Sequence, residues 1–182
     1  MLTPSRTIHH ARVVAGALFA ALALLAAGGA APASAAVDCG ITANMRTHSA
    51  SNDLALALPA PYYVNGTRPI MWSYWGGDNQ RWCKVLVMDK KYVYMNVLSG
   101  KCLTAAGPAQ NGTPVDQQTC TPLFYNQLWT IEDVRPGRIA LKSVGTGGCL
   151  DIIAKNQKPG AKLQIWGCSY ASNQLWWTTL VH

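Results

Sequence analysis

The tetrapeptide N-Q-x-W occurs three times, as Asn79-Gln80-Arg81-Trp82, Asn126-Gln127-Leu128-Trp129 and Asn173-Gln174-Leu175-Trp176, at equal intervals of 47 residues. A three-residue match that includes tryptophan, repeated at one fixed period, marks an internally duplicated chain whose units pack against one another. The repeats extend upstream of these anchors. Gly100-Lys101-Cys102-Leu103-Thr104 aligns with Gly147-Gly148-Cys149-Leu150-Asp151, Asn111-Gly112 with Pro159-Gly160, and Cys120 with Cys168. The first copy has drifted: it keeps Asn65-Gly66 at the turn position and Trp72 eight residues before Gln80, but has Tyr74 where the later copies have cysteine.

Within each unit the local pattern is β. Leu54, Leu56 and Leu58 alternate with Ala55 and Ala57, and residues 92–97 (YVYMNV) and 138–144 (RIALKSV) are short β-rich runs. Asn-Gly and Pro-Gly pairs between them suit tight hairpin turns. No stretch beyond the N-terminal segment sustains helical apolar periodicity, so the units predict an all-β domain with pseudo-threefold symmetry.

The first 35 residues stand apart. A basic stretch with Arg6 and Arg12 precedes the apolar run 13–27, and Pro32-Ala33-Ser34-Ala35 ends in an A-x-A-type site. Such a run is short of the roughly 20 residues that span a bilayer, so residues 1–35 are expected to be a cleaved signal peptide rather than an anchor. Residues 36–182 then form one domain, with repeats at about 39–84, 85–131 and 132–182, secreted to the extracellular space and without a membrane span after cleavage. That domain holds all eight acidic residues and 13 of the 15 basic ones, a net charge of +5. The basic residues are scattered, with Lys90-Lys91 the only adjacent pair, which argues against a nucleic-acid partner. All six cysteines lie in it, an even number in an oxidising compartment, which predicts three disulfides. No C-x-x-C or H-x-x-x-H spacing supports a metal site, and no motif calls for a cofactor.

The cysteine-leucine-aspartate triplet at 149–151, the Gln164-x-Trp166-x-Cys168 run and the three N-Q-x-W anchors together resemble the ricin B-type lectin family. The resemblance covers essentially the whole of residues 36–182. It implies a β-trefoil: a six-stranded barrel capped by three hairpins, with one potential sugar pocket per repeat. The family closes the loop between the repeat cysteines, so Cys102–Cys120 and Cys149–Cys168 are the implied bridges, with Cys39–Cys83 the remaining pair. Trp82, Trp129 and Trp176 are expected in a shared core, because burying three indoles removes a large apolar area from water. The motif glutamines are expected to be partly structural, tying backbone to backbone.

By the same resemblance the third repeat carries a carbohydrate pocket. Asp151 and Asn173 would bind hydroxyls, Trp166 would stack on the apolar face of a pyranose, and Gln164 and Gln174 would contact the sugar or orient its ligands. The second repeat has Thr104 in place of the acid and Asp116 and Gln118 where the third has Gln164 and Trp166, so a weak or dead pocket is expected there. The first keeps Trp72 and Asn79 but has Ala57 at the acid position. One working site is expected. Asn65-Gly66-Thr67 and Asn111-Gly112-Thr113 match the N-glycosylation pattern, though turn chemistry accounts for both.

No pair of carboxylates is placed as a glycosidase requires. The histidines after residue 35 are His48 and His182, neither beside a nucleophile motif, so the chain is expected not to be an enzyme. The expected function is carbohydrate binding, with a glycan or polysaccharide as partner. The alternative is a protein-binding trefoil, an inhibitor or the accessory subunit of a secreted complex, that uses the aromatics Tyr62, Tyr63, Trp72, Tyr74 and Trp75. Exposure of Trp72 and Trp75 bears on that choice.

Overall fold

The computed structural model describes residues 42–47, 54–121 and 123–180. Among the described residues twelve short strands run β1 Thr42–Thr47, β2 Leu54–Ala57, β3 Ile70–Ser73, β4 Trp82–Met88, β5 Lys91–Asn96, β6 Cys102–Ala105, β7 Thr113–Gln118, β8 Trp129–Arg135, β9 Arg138–Ser143, β10 Cys149–Ile152, β11 Ala161–Trp166 and β12 Trp176–Leu180. Six of them close a ring. β1 pairs with β4, β4 with β5, β5 with β8, β8 with β9, β9 with β12, and β12 returns to β1, all antiparallel. The other six form three hairpins, β2–β3, β6–β7 and β10–β11. Barrel and hairpins together make a β-trefoil, and closure leaves the barrel without an exposed sheet edge.

The three anchor tryptophans hold barrel to cap. Each is fully buried, and each stands at the start of a barrel strand. Trp82 Nε1 donates to the Leu56 carbonyl at 3.0 Å, Trp129 Nε1 to Leu103 at 3.1 Å and Trp176 Nε1 to Leu150 at 3.1 Å. The acceptor lies 26 residues upstream every time, in the first strand of the hairpin of the same repeat. Leu54, Leu56, Met71, Leu103, Leu141, Leu150 and Ile165 fill the same core.

The hairpins also hold one another in a cycle. The amide of Gly66 donates to the Gln117 carbonyl in the second repeat, that of Gly112 to Ile165 in the third, and that of Gly160 to Met71 in the first, at 2.8–2.9 Å. These three glycines have φ of +84°, +85° and +87°, a left-handed conformation in which a Cβ is strained. Where the turn residue before glycine is asparagine, its side chain reaches the next repeat: Asn65 Oδ1 accepts from the Thr119 amide at 3.0 Å and Asn111 Oδ1 from the Gly167 amide at 2.7 Å. The Asn-Gly pairs thus have a docking role as well as a turn role.

Cys102–Cys120 and Cys149–Cys168 are both bonded, at sequence separations of 18 and 19 residues. Cys83 is disulfide-bonded as well; its expected partner, Cys39, lies outside the described residues, as does the expected signal segment 1–35. In the first repeat Ala55 and Tyr74 occupy the positions that the other repeats bridge, so that hairpin carries no cystine of its own.

Candidate functional site

The antiparallel register of β10 and β11 sets Asp151 opposite Gln164 and Cys149 opposite Trp166. Directly opposed residues share a face of the sheet, and residues two apart on one strand share it too. Asp151, Gln164 and Trp166 therefore lie on one outer face. The alternation along β11 agrees: Ala161, Leu163 and Ile165 are buried, whereas Lys162 and Trp166 are exposed. A 3-10 turn at Ser172–Gln174 brings the remaining two residues to the same place.

Four of the five expected site residues form one hydrogen-bonded cluster. Gln164 Nε2 donates to Asp151 Oδ1 at 2.9 Å. Asn173 Nδ2 and Gln174 Nε2 donate to Asp151 Oδ2 at 2.6 and 3.0 Å. Asp151 is 3 % exposed and Trp166 44 % exposed, so the carboxylate sits deepest and the indole outermost. Asn173 also donates to the Ile152 carbonyl, while its Oδ1 is buried without a partner. Burial raises the Asp151 carboxyl above its ordinary value, opposed by the three amide hydrogen bonds and the charge of Lys155. Both carboxylate oxygens are thus oriented by donors, and Oδ1, with one donor, keeps capacity for a second.

Gln174 has a second duty. Its Oε1 accepts from the amides of Ser169 and Tyr170 at 2.8 and 3.0 Å, and its Nε2 also reaches the Gly167 carbonyl. The equivalent glutamines do the same work: Gln80 bonds the Trp75 amide and Ser73 carbonyl, and Gln127 the Thr121 amide and Thr119 carbonyl. This clamp holds the loop after each hairpin. It leaves Tyr170 at φ +55°, 40 % exposed, with its hydroxyl donating to Glu132 at 2.6 Å. Tyr170 is a second exposed aromatic of the third repeat, and no sequence signal marked it; the positive φ recurs at the equivalent Gly76 and Leu123, residues with nothing in common.

The other two repeats depart from this constellation in ways their registers make explicit. In the first, Trp72 stands opposite Ala55 and Ile70 opposite Ala57, so an exposed indole survives beside an apolar pair. In the second, Thr104 stands opposite Asp116 and Cys102 opposite Gln118. Gln127 Nε2 there bonds Thr104 Oγ1 in place of a carboxylate. Among the described residues no group of three or more histidine, cysteine or acidic side chains could hold a metal.

A β-trefoil whose repeats each present a hairpin face backed by a clamped loop is the architecture of a lectin-type binding module. Residues 90–182 match the family model of the ricin-type beta-trefoil lectin domain, and the chain belongs to that family. Among solved structures it is similar to the designed threefold-symmetric protein ThreeFoil, with 27 % identity and a TM-score of 0.71 over 76 % of this chain and 97 % of that one. It is also similar to the exo-beta-1,3-galactanase 1,3Gal43A of Clostridium thermocellum, at 23 % identity and a TM-score of 0.71, covering 78 % of this chain but only 30 % of the galactanase. The C-half of an earthworm R-type lectin, solved in complex with GalNAc, aligns at 17 % identity and a TM-score of 0.61 over 78 % of this chain and 99 % of that one. The last two likenesses are of fold. A search of curated proteins finds no match.

Proposed function

We propose that this chain is an exported carbohydrate-binding protein, acting by binding rather than catalysis, that holds one sugar residue of a glycan or polysaccharide on its third repeat. The observation that carries this is the Asp151 carboxylate, buried yet clamped by the amides of Gln164, Asn173 and Gln174 on the same face as an exposed tryptophan. A carboxylate accepts from adjacent ring hydroxyls while the indole covers the C–H face, and few other ligands need both at once. Export is supported by the expected signal segment and by two disulfides; among the described residues no helix is long and apolar enough to cross a membrane. The similar structures suggest where to begin, since one is a galactanase and another was solved with GalNAc.

A binding screen with galactose, N-acetylgalactosamine, beta-1,3-galactan and xylan tests the proposal. Saturable binding to at least one is expected, and Trp166→Ala is expected to weaken it about tenfold, since an aromatic contact contributes roughly 0.5–1.5 kcal/mol beyond its buried area. Because Trp166 is exposed, the same substitution should leave the unfolding midpoint nearly unchanged. Binding that is indifferent to Trp166→Ala places recognition elsewhere.

The pH dependence follows from Asp151. Its carboxyl titrates above the ordinary value of about 3.9, facing Gln164, Asn173, Gln174 and the charge of Lys155. Hydroxyl donors need the ionised form, so affinity should fall as pH is lowered, starting at a higher pH than an unperturbed aspartate would give. Stability has the opposite sign. A folded-state pKa above the unfolded one means this group favours folding below the unfolded pKa, and that contribution disappears as pH rises through the folded value. Calorimetric titration from pH 7 to 4, paired with unfolding over the same range, separates the two; affinity that is flat across it contradicts the assigned acceptor.

One observation favours a second reading. Trp72, Trp75 and Tyr63 of the first repeat are 46, 67 and 64 % exposed, as a protein-binding trefoil using that repeat requires. Under that reading Trp75→Ser abolishes association with a secreted partner protein while glycan binding is absent from the outset.

A further inference from the structure

Tyr170 is exposed yet fixed at both ends. Its amide donates to Gln174 Oε1, on the glutamine whose Nε2 clamps Asp151. Its hydroxyl donates to one oxygen of Glu132 at 2.6 Å, and Lys142 Nζ stands 3.4 Å from the other. The Tyr170 hydrogen bond, helped by Lys142 and opposed by partial burial, holds the Glu132 carboxyl below its ordinary value, so the acceptor is ionised and the bond charge-assisted. At φ +55° the tyrosine backbone is in a conformation that is costly for a residue with a Cβ, and such outliers persist only where the surroundings impose them.

The other repeats lack the residues for this arrangement. One period away, Gly76 and Leu123 stand in place of Tyr170, Val85 and Thr179 in place of Glu132, and Met95 in place of Lys142. Tyrosine, carboxylate and ammonium therefore come together only beside the repeat whose acid cluster is complete. The loop itself does not require them, since Gln80 and Gln127 clamp the equivalent loops with no aromatic tied to a carboxylate.

The strand registers place the cluster next to the third-repeat site. Trp166 on β11 opposes Cys149 on β10, Cys149 opposes Lys142 on β9, and Lys142 opposes Thr130 on β8, two residues before Glu132. Opposed residues share a face, as do residues two apart, so Trp166, Lys142 and Glu132 lie along one outer face that spans three strand spacings, about 14 Å along the sheet. The Cys149–Cys168 bridge lies within it, and Cys168 is two residues from both Trp166 and Tyr170. With its backbone hung from Gln174 and its hydroxyl on Glu132, the Tyr170 ring covers the end of this face away from Trp166. Two exposed aromatics thus flank a cystine floor, with a cation and an anion beside the second.

We propose that Tyr170 extends the third-repeat site along a sugar chain: one residue of a polysaccharide sits at Asp151 and Trp166, the next lies on the tyrosine ring, and Glu132 is the residue that positions that ring. This rests on the carbohydrate-binding reading above and narrows its ligand from a single sugar to consecutive sugars of a chain. An aromatic face covers the C–H side of one pyranose, so successive rings need successive faces. Lys142 Nζ and the Glu132 carboxylate offer a donor and an acceptor to the hydroxyls of the second ring. Because Tyr170 is held in advance, little conformational freedom is lost when the ring is covered, and a sugar linked to one already bound arrives at high effective concentration.

The test is a calorimetric comparison of galactose with beta-1,3-galactotriose and of xylose with xylotriose. For the sugar that binds, the trisaccharide is expected to bind at least about tenfold more tightly than the monosaccharide, beyond the roughly threefold that three identical rings give statistically. Tyr170→Ser, on an exposed residue, should bring that ratio down to the statistical value, whereas Trp166→Ala weakens both ligands together. Glu132→Ala should lower the ratio as well, and Glu132→Gln, whose side-chain oxygen accepts the same hydrogen bond, should restore most of it; a purely structural contact would move the unfolding midpoint and leave the ratio alone. Backbone amides at residues 131–133 and 142 are expected to shift with the trisaccharide and not with the monosaccharide. A wild-type ratio no larger than the statistical one, or a ratio untouched by Tyr170→Ser, overturns the second position and leaves the Asp151 pocket standing. Absence of binding to these probes and to those of the screen above overturns the carbohydrate reading and the second position with it.

Discussion

Trp176→Ala is expected to lower the unfolding free energy by about 4 kcal/mol, within the 3–5 kcal/mol typical of truncating a buried tryptophan. The indole is fully buried and bordered by core side chains, so its removal leaves a cavity that the closed barrel collapses into only partly. It also removes the Nε1 bond to the Leu150 carbonyl, which strands a buried acceptor and loosens the third hairpin from the barrel. Small domains have only about 5–15 kcal/mol in total, so this one change consumes a large part of it. Trp176→Phe separates the two causes: most apolar volume returns, the carbonyl stays unpaired, and a residual cost of about 1–3 kcal/mol is expected. Urea unfolding followed by circular dichroism measures both. A midpoint within experimental error of wild type for Trp176→Ala would contradict the core assignment, and Trp166→Ala serves as the exposed control.

Asp151→Ala is expected to abolish third-repeat binding, a loss of at least a hundredfold, and to destabilise the domain by about 3 kcal/mol. Three side-chain amides from Gln164, Asn173 and Gln174 converge on this one carboxylate. Removing it leaves buried donors unsatisfied, and each such donor costs roughly 1–3 kcal/mol less whatever relaxation recovers. The second repeat shows how far relaxation goes: with Thr104 at this position, Gln127 bonds the hydroxyl and Asn126 turns to backbone carbonyls. Asp151→Thr should therefore recover much of the stability without recovering binding. Isothermal titration on both variants, with thermal unfolding alongside, makes the distinction. Third-repeat affinity retained in Asp151→Ala removes the carboxylate from the recognition scheme.

The repeat period accounts for most of what was legible in advance. Three copies of N-Q-x-W point to three equivalent environments, and Trp82, Trp129 and Trp176 do share a core; the pairing of the cysteines at 102, 120, 149 and 168 within their repeats was what the family resemblance implied, and both bonds are present. The third-repeat residues Asp151, Gln164, Trp166, Asn173 and Gln174 could be named because the family resemblance implies them; the period alone does not, since the other copies have Thr104 and Ala57 at the acid position. Trp72 was recognisable as the counterpart of Trp166 by its spacing from Gln80, and the hairpin register places it so. Trp177, which no motif explained, packs beneath the Arg138 guanidinium, 4.5 Å from its ring centroid.

What the one-dimensional pattern left open depends on relations between repeats. Asn65 and Asn111 read as turn residues, but their side-chain oxygens serve the following repeat, 54 and 56 residues away. Whether Trp72 and Trp75 are core or surface turns on which elements cover them, and hydrophobicity alone does not decide that. The second repeat reads as damaged because Thr104 replaces an acid; only the antiparallel register shows that Asp116 restores a carboxylate to the same face.

The sequence by itself determined the threefold plan and the tryptophan core, since periodicity assigns every copied residue the environment of its copies. The tertiary structure alone decided how the hairpins dock in a cycle, which donors each carboxylate receives and that Asp116 keeps a buried oxygen without a partner. Hydrogen-bond satisfaction is a property of residues converging in space from separate strands and repeats, and no spacing along one chain specifies it.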